Sequence, residues 1–366
     1  MHILVTADTL GGVWTYAREL VTELAKRGVR VTLVSFGDIP ERAQTNWMDG
    51  LEGLDFRPTG FKLEWMQNSA ADMEVSAEYL SDVVRETKPD ILHLNQYFYG
   101  ALDCDVPRLV VAHSDVVSWW WAVHQSAPPE SEWLQWYREI VRRGLSSATA
   151  VAAPSRWMLQ QVTSNYLQPR AASVVYNGRN AALFQSHAAK QEIIVSVGRL
   201  WDSGKNAALL LRDEMPAPVY IVGAGRHPES NSGAFQVEEI RSNIHLEPQK
   251  DEPELAGLLS RAAVYAATSQ YEPFGLAPLE AALSRCAIVA SDIPSFRELW
   301  DGAALFFRPN EAHHLRETLE YLMQHPEVRQ EYADLAFDRA RTRFSSEKMV
   351  DQYLRLYKEL VPAHAV

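Results

Sequence analysis

Short apolar runs alternate along the chain with longer stretches in which apolar residues recur at helical spacing. The run at 2–6 (HILVT) and the run at 29–35 enclose such a stretch at 15–27, which Gly28 would end. Short runs of this kind are typical of buried strands, and a glycine often follows the last turn of a helix. The beginning of the chain therefore predicts a strand–helix–strand unit.

The same alternation continues to about residue 178. A helix is predicted at 71–88, ending at Pro89, and an amphipathic helix at 131–145. Further strands are predicted at 90–96, 107–115, 149–155 and 173–178. Residues 38–70 are hard to assign, and the tryptophan-rich segment at 116–133 is predicted to be an irregular loop. Strands that alternate with helices are typical of a parallel sheet with helices on both faces.

A polar segment at 177–191, predicted to be a linker, precedes a second pattern of the same kind. Strands are predicted at 192–199, 217–225, 243–248, 262–268 and 287–291. Helices are predicted at about 206–213, 254–261, 280–284 and 345–361. Two α/β halves joined by a hinge place a ligand in the cleft between them, at the carboxyl ends of the strands.

Composition narrows the function classes. The chain has 366 residues, which favours two domains, and a formal charge of −12 from 35 basic and 47 acidic side chains. That balance argues against binding nucleic acid through a basic surface. Two cysteines provide neither a disulfide framework nor a cysteine-based metal site. Without a signal-peptide pattern or an apolar run near the roughly 20 residues of a membrane span, a cytoplasmic protein is expected.

Two basic residues suit a phosphorylated ligand. Arg199 follows Gly198 at the end of a predicted strand, and Lys205 lies in the glycine-containing loop that follows. Arginine offers a planar fork and lysine a mobile point charge, so together they could bind a diphosphate at the start of a helix. Two solvated loop charges are the alternative interpretation.

Other polar and aromatic signals are individually weaker. His113 ends a predicted strand and could bond a sugar hydroxyl or be structural. The consecutive residues Trp119, Trp120 and Trp121 cannot share one face, and they could bind an acceptor or fill a core. The triplet Asp103-Cys-Asp105 is expected in a solvated loop. A glycine pair at 223 and 225 lacks the third glycine of a dinucleotide fingerprint, because position 228 is proline.

Two carboxylates, Glu272 and Glu280, flank a Phe-Gly turn in the segment YEPFGLAPLEAAL at 271–283. A carboxylate in a Gly/Pro loop and another in a helix could face a ligand. Alternatively, the first is a solvated loop residue and the second a helix residue favoured by the dipole. Spacing by itself does not decide the reaction.

This segment resembles the E-x7-E motif of retaining glycosyltransferases of family 4, which have the GT-B fold. The surroundings agree in order over nearly the whole chain: Gly11-Gly12 in the first loop, His113, the runs at 148–155 and 174–178, Arg199 with Lys205, the run at 221–225 and the last helix. The chain departs from the family pattern in the linker, where NGRN at 177–180 replaces an NGVD-like turn.

The resemblance implies roles for these residues. Glu280 would hold the donor ribose, Glu272 the donor sugar hydroxyls, and His113 the sugar near its C6 hydroxyl. Arg199 and Lys205 would neutralise the diphosphate in place of a metal ion. The nucleobase would meet the loop from Leu246 to Gln249. Backbone amides would add phosphate and sugar contacts near Gly11 and Gly12 and at Phe274, Gly275 and Leu276.

The resemblance also implies two Rossmann-like domains that face a central cleft: an acceptor domain at 1–178, onto which 346–366 packs back, and a donor domain at 192–345. The function implied is metal-independent, retaining transfer of a hexosyl group from a UDP- or GDP-linked sugar. No cofactor, nucleic acid or stable membrane insertion is expected, and the acceptor is a small molecule, a glycan or a lipid. Alternatives are a nucleotide-sugar-binding module without turnover, a nucleotide-sugar epimerase, or a dinucleotide oxidoreductase.

Overall fold

The computed structural model describes residues 1–184, 188–223, 225 and 241–361, which form two compact units. The first unit comprises 1–121, 126–178 and the segment that begins at Ser346. The second unit comprises 122–125 and the described part of 179–345. Residues 224 and 228, part of the predicted glycine-rich turn and the loop after it, lie outside the described residues.

A parallel sheet of seven strands forms the centre of the first unit, counted over the described residues. Its strands are His2–Asp8 (β1), Arg30–Phe36 (β2), Leu54–Pro58 (β3), Ile91–Leu94 (β4), Arg108–Val111 (β5), Ala150–Ala153 (β6) and Ala172–Val174 (β7). Their spatial order is β3-β2-β1-β4-β5-β6-β7, and all neighbours run parallel. The order reverses between β1 and β4, which is where open α/β sheets bind ligands.

Helices cover both faces of this sheet. They are Gly12–Lys26 (α1), Arg42–Thr45 (α2), Ala70–Thr87 (α3), Val116–His124 (α4), Glu132–Ser147 (α5) and Arg156–Asn165 (α6), with 3₁₀ turns at Asn46–Met48 and Phe98–Ala101. Successive residues of β1 point to opposite faces, so Leu4 joins one apolar cluster while Ile3 and Val5 join another. Both clusters are buried, which explains the unbroken apolar runs of the strands.

The second unit repeats this order. Its described strands are Gln191–Val197 (β8), Val219–Val222 (β9), Ile244–Glu247 (β10), Ala262–Ala267 (β11), Ala287–Ser291 (β12) and Leu305–Phe307 (β13). They form a parallel sheet in the order β10-β9-β8-β11-β12-β13, with the reversal between β8 and β11. The helices are Glu252–Arg261 (α7), Leu276–Leu283 (α8), Pro294–Trp300 (α9), Ala312–Gln324 (α10) and Pro326–Arg343 (α11), with 3₁₀ turns at Ala181–Phe184 and Ala207–Leu211. The prediction of two Rossmann-like α/β domains is confirmed.

The last helix, Ser346–Leu360 (α12), belongs to the first unit. Its buried residues Met349, Val350, Tyr353 and Tyr357 join the apolar cluster that contains Ile3 and the inner face of α1. The chain therefore enters the second unit at Arg179 and returns to the first at Ser346.

One predicted loop is wrong, and the predicted linker contains regular structure. The tryptophan-rich segment predicted to be irregular contains α4, because Asp115 caps it: its Oδ1 accepts a hydrogen bond from Ser118 N at 2.8 Å. The predicted linker at 177–191 contains a 3₁₀ turn, and its residue Arg179 is 1% exposed. Tertiary partners stabilise both segments.

Element boundaries differ elsewhere. The helix predicted at 206–213 is a 3₁₀ turn, Ala207–Leu211, and the helix predicted to begin at Glu280 begins at Leu276. The unassigned segment at 38–70 contains the edge strand β3, and α6 follows β6 where no helix was expected. Ser155 caps α6, since its side chain accepts from Met158 N at 3.1 Å.

Candidate active site

A lysine–glutamate pair lies in a pocket beyond the carboxyl ends of β8 and β11. Lys205 Nζ lies 2.5 Å from Glu272 Oε2, and Glu272 is 9% exposed. The hydroxyl of Ser269 donates to the same oxygen at 3.3 Å. Thr268 holds the lysine backbone, because its Oγ1 donates to Lys205 O at 2.9 Å. Both charged side chains and Gly198 line the pocket, so a cation and an anion face the same small space.

Arg199 stands at the end of the same strand, one residue after Gly198. Its Nη2 bonds Asp202 Oδ2 at 2.7 Å, and its guanidinium lies 4.9 Å from the centroid of the Trp201 ring. The arginine side chain is 40% exposed, whereas the aspartate is 6% exposed. Asp202 Oδ1 also accepts from Gly204 N at 2.8 Å, so one carboxylate shapes the loop and orients the arginine.

The Phe-Gly turn begins α8. Gly275 has φ +89°, and no side-chain hydrogen bond caps the helix. The Phe274 ring is buried against Phe344, with centroids 5.3 Å apart, so its backbone rather than its ring remains for a ligand. Leu276 is the first helical residue. Amides at an uncapped helix N-terminus form an anion-binding position.

Glu280 lies in the middle of α8 and faces an arginine that was not predicted to belong to the site. Glu280 Oε1 lies 2.9 Å from Arg179 Nε, and Arg179 Nη2 lies 2.5 Å from Glu252 Oε2. The Arg179 guanidinium also lies 5.0 Å from the centroid of the Phe184 ring. The signal in the sequence was the arginine in NGRN, where the family pattern has an apolar residue.

The stretch assigned to the nucleobase lies at one edge of the second sheet. Leu246 is a half-buried residue within β10, and Gln249 is exposed in the loop that follows. Glu252 begins α7 directly after this loop. Glu252, which pairs with Arg179, therefore follows closely in sequence the stretch assigned to the nucleobase.

The first unit carries the remaining predicted residues. Gly11, with φ +95°, precedes α1, and Gly12 is its first residue; both are exposed. The preceding loop is held by Thr9, whose hydroxyl donates to Asp38 O at 2.8 Å. The amides of Gly11 and Gly12 therefore stand at a helix N-terminus, as the phosphate prediction requires.

His113 follows β5 and bonds an asparagine that was not predicted from the sequence. Its Nε2 lies 2.8 Å from Asn95 Oδ1. Asn95 Nδ2 donates to Thr6 O at 2.5 Å, which orients the amide so that its oxygen faces the histidine. Nε2 must then carry the proton and donate it. Burial lowers the pKa of His113 to about 3, so the ring is neutral and its Nδ1 is an acceptor.

The three consecutive tryptophans lie on α4, after the same strand end. Trp121 is 45% exposed, whereas Trp119 and Trp120 are half-buried with ring centroids 6.2 Å apart. They point to different sides of the helix, as consecutive residues must. Trp121 is the member whose ring is available to a ligand.

The triplet Asp103-Cys-Asp105 lies in the loop before β5, with both aspartates exposed, as expected of a solvated loop. Across residues 1–184, 188–223, 225 and 241–361, no group of three or more His, Cys, Asp or Glu side chains could hold a metal ion. Within the same ranges, no helix combines the length and the apolar character needed to cross a bilayer.

The predicted residues thus fall into two groups. Strand ends and one loop of the second unit bring together Arg199, Lys205 and Glu272. Glu280 lies in the helix that follows, α8. The first unit contains Gly11, Gly12 and His113. There the Tyr16 ring in α1 packs against the His113 ring, with centroids 4.5 Å apart.

Comparison with known proteins indicates the class of this fold. Sucrose-phosphate synthase from Thermosynechococcus elongatus superposes with a TM-score of 0.77 at 17% identity, covering 98% of this chain and 99% of that chain. Anabaena HepE in complex with UDP-glucose superposes with a TM-score of 0.75 at 15% identity, covering 98% and 100%. These structural neighbours share the GT-B fold.

Sequence comparison agrees. The alpha-maltose-1-phosphate synthase of Mycolicibacterium smegmatis is 26% identical over 303 residues, or 73% of this chain and 76% of that protein. The O-antigen chain mannosyltransferase C of Escherichia coli is 20% identical over 99% of this chain and 98% of its own length. The model described as Glycosyltransferase Family 4 matches residues 10–183, and the model described as Glycosyl transferases group 1 matches 180–339. The chain belongs to the GT-B glycosyltransferases of the family 4 type, which transfer a sugar from a nucleotide sugar.

Proposed function

We propose that this protein is a retaining, metal-independent hexosyltransferase that uses a UDP- or GDP-linked sugar. The observation that carries the proposal is the Lys205–Glu272 pair, 2.5 Å apart in a pocket beside Arg199. It provides cations for a diphosphate and a carboxylate for sugar hydroxyls at one place. The names of the relatives, a maltose-1-phosphate synthase and mannosyltransferases, support a hexosyl donor.

The cations act on the leaving group. As the bond between the anomeric carbon and the phosphate oxygen breaks, negative charge develops on the β-phosphate. Lys205 and Arg199 stabilise this charge, and the uncapped N-terminus of α8 adds amides. Because these groups are oriented before the reaction, they provide the stabilisation for which other transferases use a metal ion.

The acceptor hydroxyl attacks from the face that the diphosphate leaves. Its oxygen bonds the anomeric carbon, the phosphate oxygen departs with the bonding electrons, and the hydroxyl proton passes to that phosphate oxygen. Because attack and departure occur on the same face, the anomeric configuration is retained. Because the leaving phosphate takes the proton, no protein base is needed. In this mechanism Glu272 is a charged acceptor for sugar hydroxyls, and Lys205 and Ser269 hold its carboxylate in place through Oε2.

The remaining contacts are proposals of the same kind. Glu280 accepts hydrogen bonds from the donor ribose, and residues from Leu246 to Gln249 meet the nucleobase. The amides at Gly11, Gly12, Phe274, Gly275 and Leu276 bind phosphate and sugar oxygens. Neutral His113 accepts a hydrogen bond from a sugar hydroxyl at Nδ1, while Asn95 holds its Nε2. Aromatic rings at 119–121, Trp121 above all, contact a small-molecule, glycan or lipid acceptor.

Incubation with a panel of donors tests the proposal. UDP-glucose, UDP-galactose, UDP-N-acetylglucosamine and GDP-mannose are incubated separately, and nucleoside diphosphate release is measured with and without excess EDTA. We expect one donor to release its nucleoside diphosphate at the same rate in EDTA. NMR recorded early in the reaction should show the sugar with the anomeric configuration of the donor.

The other outcomes are distinct. Inversion at the anomeric carbon contradicts the retaining mechanism, and loss of activity in EDTA contradicts metal independence. Binding without release of nucleoside diphosphate identifies a binding module. An isomerised donor identifies an epimerase.

A further inference from the structure

Arg179 is the residue at which the chain enters the second unit, and it is tied to that unit through its backbone. Its N–H donates to Phe344 O at 3.0 Å, and it forms a parallel bridge with Ser345. With 1% of its surface exposed, it is among the largest fully buried side chains of the described residues. An arginine is rarely buried so fully unless its charge is paired.

The guanidinium of Arg179 joins two acidic helices. Nε lies 2.9 Å from Glu280 Oε1 in α8, and Nη2 lies 2.5 Å from Glu252 Oε2 in α7. The Glu280 side chain is 9% exposed and that of Glu252 is 22% exposed. Phe184 packs against the guanidinium with its ring centroid 5.0 Å away. Two carboxylates and the Phe184 ring therefore contact the guanidinium.

This arrangement determines what Arg179 can do. Because it is buried, the arginine cannot contact a nucleotide itself, and its effect must pass through its partners. Glu280, which is 7% exposed, would be costly to bury as an unpaired carboxylate. The guanidinium compensates that charge from 2.9 Å away, and its hydrogen bond to Glu252 fixes the place of the positive charge beside Glu280.

We propose that Arg179 is a positioning residue for ribose recognition: it holds the Glu280 carboxylate in place so that it accepts hydrogen bonds from the ribose hydroxyls of the donor. The inference rests on the proposed function, in which Glu280 meets the ribose. Glu252 in turn holds the guanidinium in place by pairing with its Nη2.

The experiment compares ribose with deoxyribose. Calorimetry gives the affinity of the protein for UDP and 2′-deoxy-UDP, and for GDP and 2′-deoxy-GDP. A hydroxyl bonded to a carboxylate should make the ribonucleotide bind roughly 10- to 100-fold more tightly in the wild type. In Arg179→Met this ratio should fall to about 1–3, while the affinity for the deoxynucleotide stays within about threefold of wild type.

Two further variants sharpen the result. Arg179→Lys keeps the charge but cannot bond both carboxylates through a planar fork, so an intermediate ratio is expected. If Arg179→Met does not fold, this variant carries the test. Arg285→Met is the matched control, because Arg285 also pairs with one carboxylate, Asp334, and stacks on a phenylalanine in the same unit. Its ratio should equal that of the wild type.

Each outcome has one meaning. An equal loss of affinity for ribo- and deoxynucleotides in the Arg179 variants, or an unchanged ratio, overturns the positioning role and leaves the proposed function intact. A wild-type ratio near 1 overturns the contact between Glu280 and ribose as well. Failure of the wild type to bind either nucleoside diphosphate contradicts the proposed function itself.

Discussion

Lys205 is the residue on which the proposed chemistry depends most directly. Its ammonium lies 2.5 Å from Glu272, and its side chain is 22% exposed, so the pair is partly shielded from water. Shielding strengthens the interaction of the ammonium with a phosphate, because the local dielectric constant is lower than in bulk water. The lysine is therefore expected to act on the leaving group more strongly than a surface lysine would.

Replacing this residue tests that role. In Lys205→Met we expect kcat to fall by about 100- to 1000-fold, with a smaller change in KM, because the stabilisation is needed most when charge develops on the leaving group. Steady-state kinetics with the donor identified in the panel measures both constants.

A matched control distinguishes the role of a lysine in the reaction from the general effect of removing a lysine that pairs with a glutamate. Lys26 also lies 2.6 Å from a glutamate, Glu23, but it belongs to α1 and its side chain is 51% exposed. Lys26→Met should keep both kinetic constants within about twofold, because Lys26 lies outside the proposed site and Glu23 keeps Arg27 as a partner at 2.5 Å. Equal kinetics in the wild type and Lys205→Met would remove Lys205 from the proposed mechanism.

At the scale of elements, the start of α8 determines how two parts of the site are presented. Gly275, with φ +89°, lets the chain turn from Glu272 into the helix. A Cβ at this position would lie 3.1 Å from Glu272 Cγ and 3.2 Å from Pro278 Cγ. The backbone conformation and the space both favour glycine here.

Gly275→Ala is accordingly expected to destabilise the protein by about 1–2 kcal/mol and to weaken nucleoside diphosphate binding, because α8 and Glu272 must shift. Urea unfolding and calorimetry with UDP and GDP measure the two effects. Gly257 is the control, because it is exposed within α7 and a Cβ added there would meet no atom within 4 Å. Gly257→Ala should stabilise by about 0.5–1 kcal/mol and leave binding unchanged. A Gly275→Ala protein as stable as wild type would show that this turn tolerates a side chain.

At the scale of the whole molecule, the chain returns to the first unit through α12, and a buried histidine joins this helix to the sheet. His93 in β4 bonds Tyr16 OH through Nε2 at 2.9 Å and Tyr357 OH through Nδ1 at 2.7 Å. Its ring thus connects α1, β4 and α12. Burial, and then the nearby His113, lower the pKa of His93 to about 3.

This pKa predicts a loss of stability in acid. An unfolded histidine titrates near 6.5, so between pH 6.5 and about 3 the unfolded chain binds a proton that the folded protein does not. The contribution of His93 therefore declines as pH falls through this range. Glu64 acts in the opposite direction, because burial raises its pKa to about 7 and folding then favours the protonated carboxyl.

The variant His93→Gln isolates this contribution, since the effect of Glu64 cancels in the comparison. We expect a cost of about 3 kcal/mol at pH 7.5, which should shrink by about 2 kcal/mol at pH 5. Hydrogen exchange of β4 amides, corrected for the intrinsic effect of pH, gives the free energies of opening. His245→Gln, at an exposed position in β10, is the control and should show a similar small change at both pH values. A cost for His93→Gln that does not vary with pH would contradict the titration.

Much of the fold and part of the candidate site could be predicted from local patterns. The buried runs predicted most of the strands, since strands covered on both faces are apolar throughout. Arg199, Lys205 and Glu272 stood out as charged residues in strand-end loops or beside glycine, and Glu280 as a carboxylate in the helix that follows. By contrast, β3 and the helical state of 116–124 were missed, because an edge strand with exposed residues and a helix rich in tryptophan lack the usual periodicity.

The sequence by itself determined the alternation of most strands with helices, the two-domain α/β class, and which charged residues follow strand ends, because these depend on local propensity and periodicity. Only the tertiary structure decided the partners: Arg179 with Glu280, Lys205 with Glu272, Asn95 with His113, and α12 with the first unit. These pairs join residues that lie from 18 to more than 100 positions apart. Such pairs form because burial requires each charge or polar group to find a partner, which local sequence does not specify.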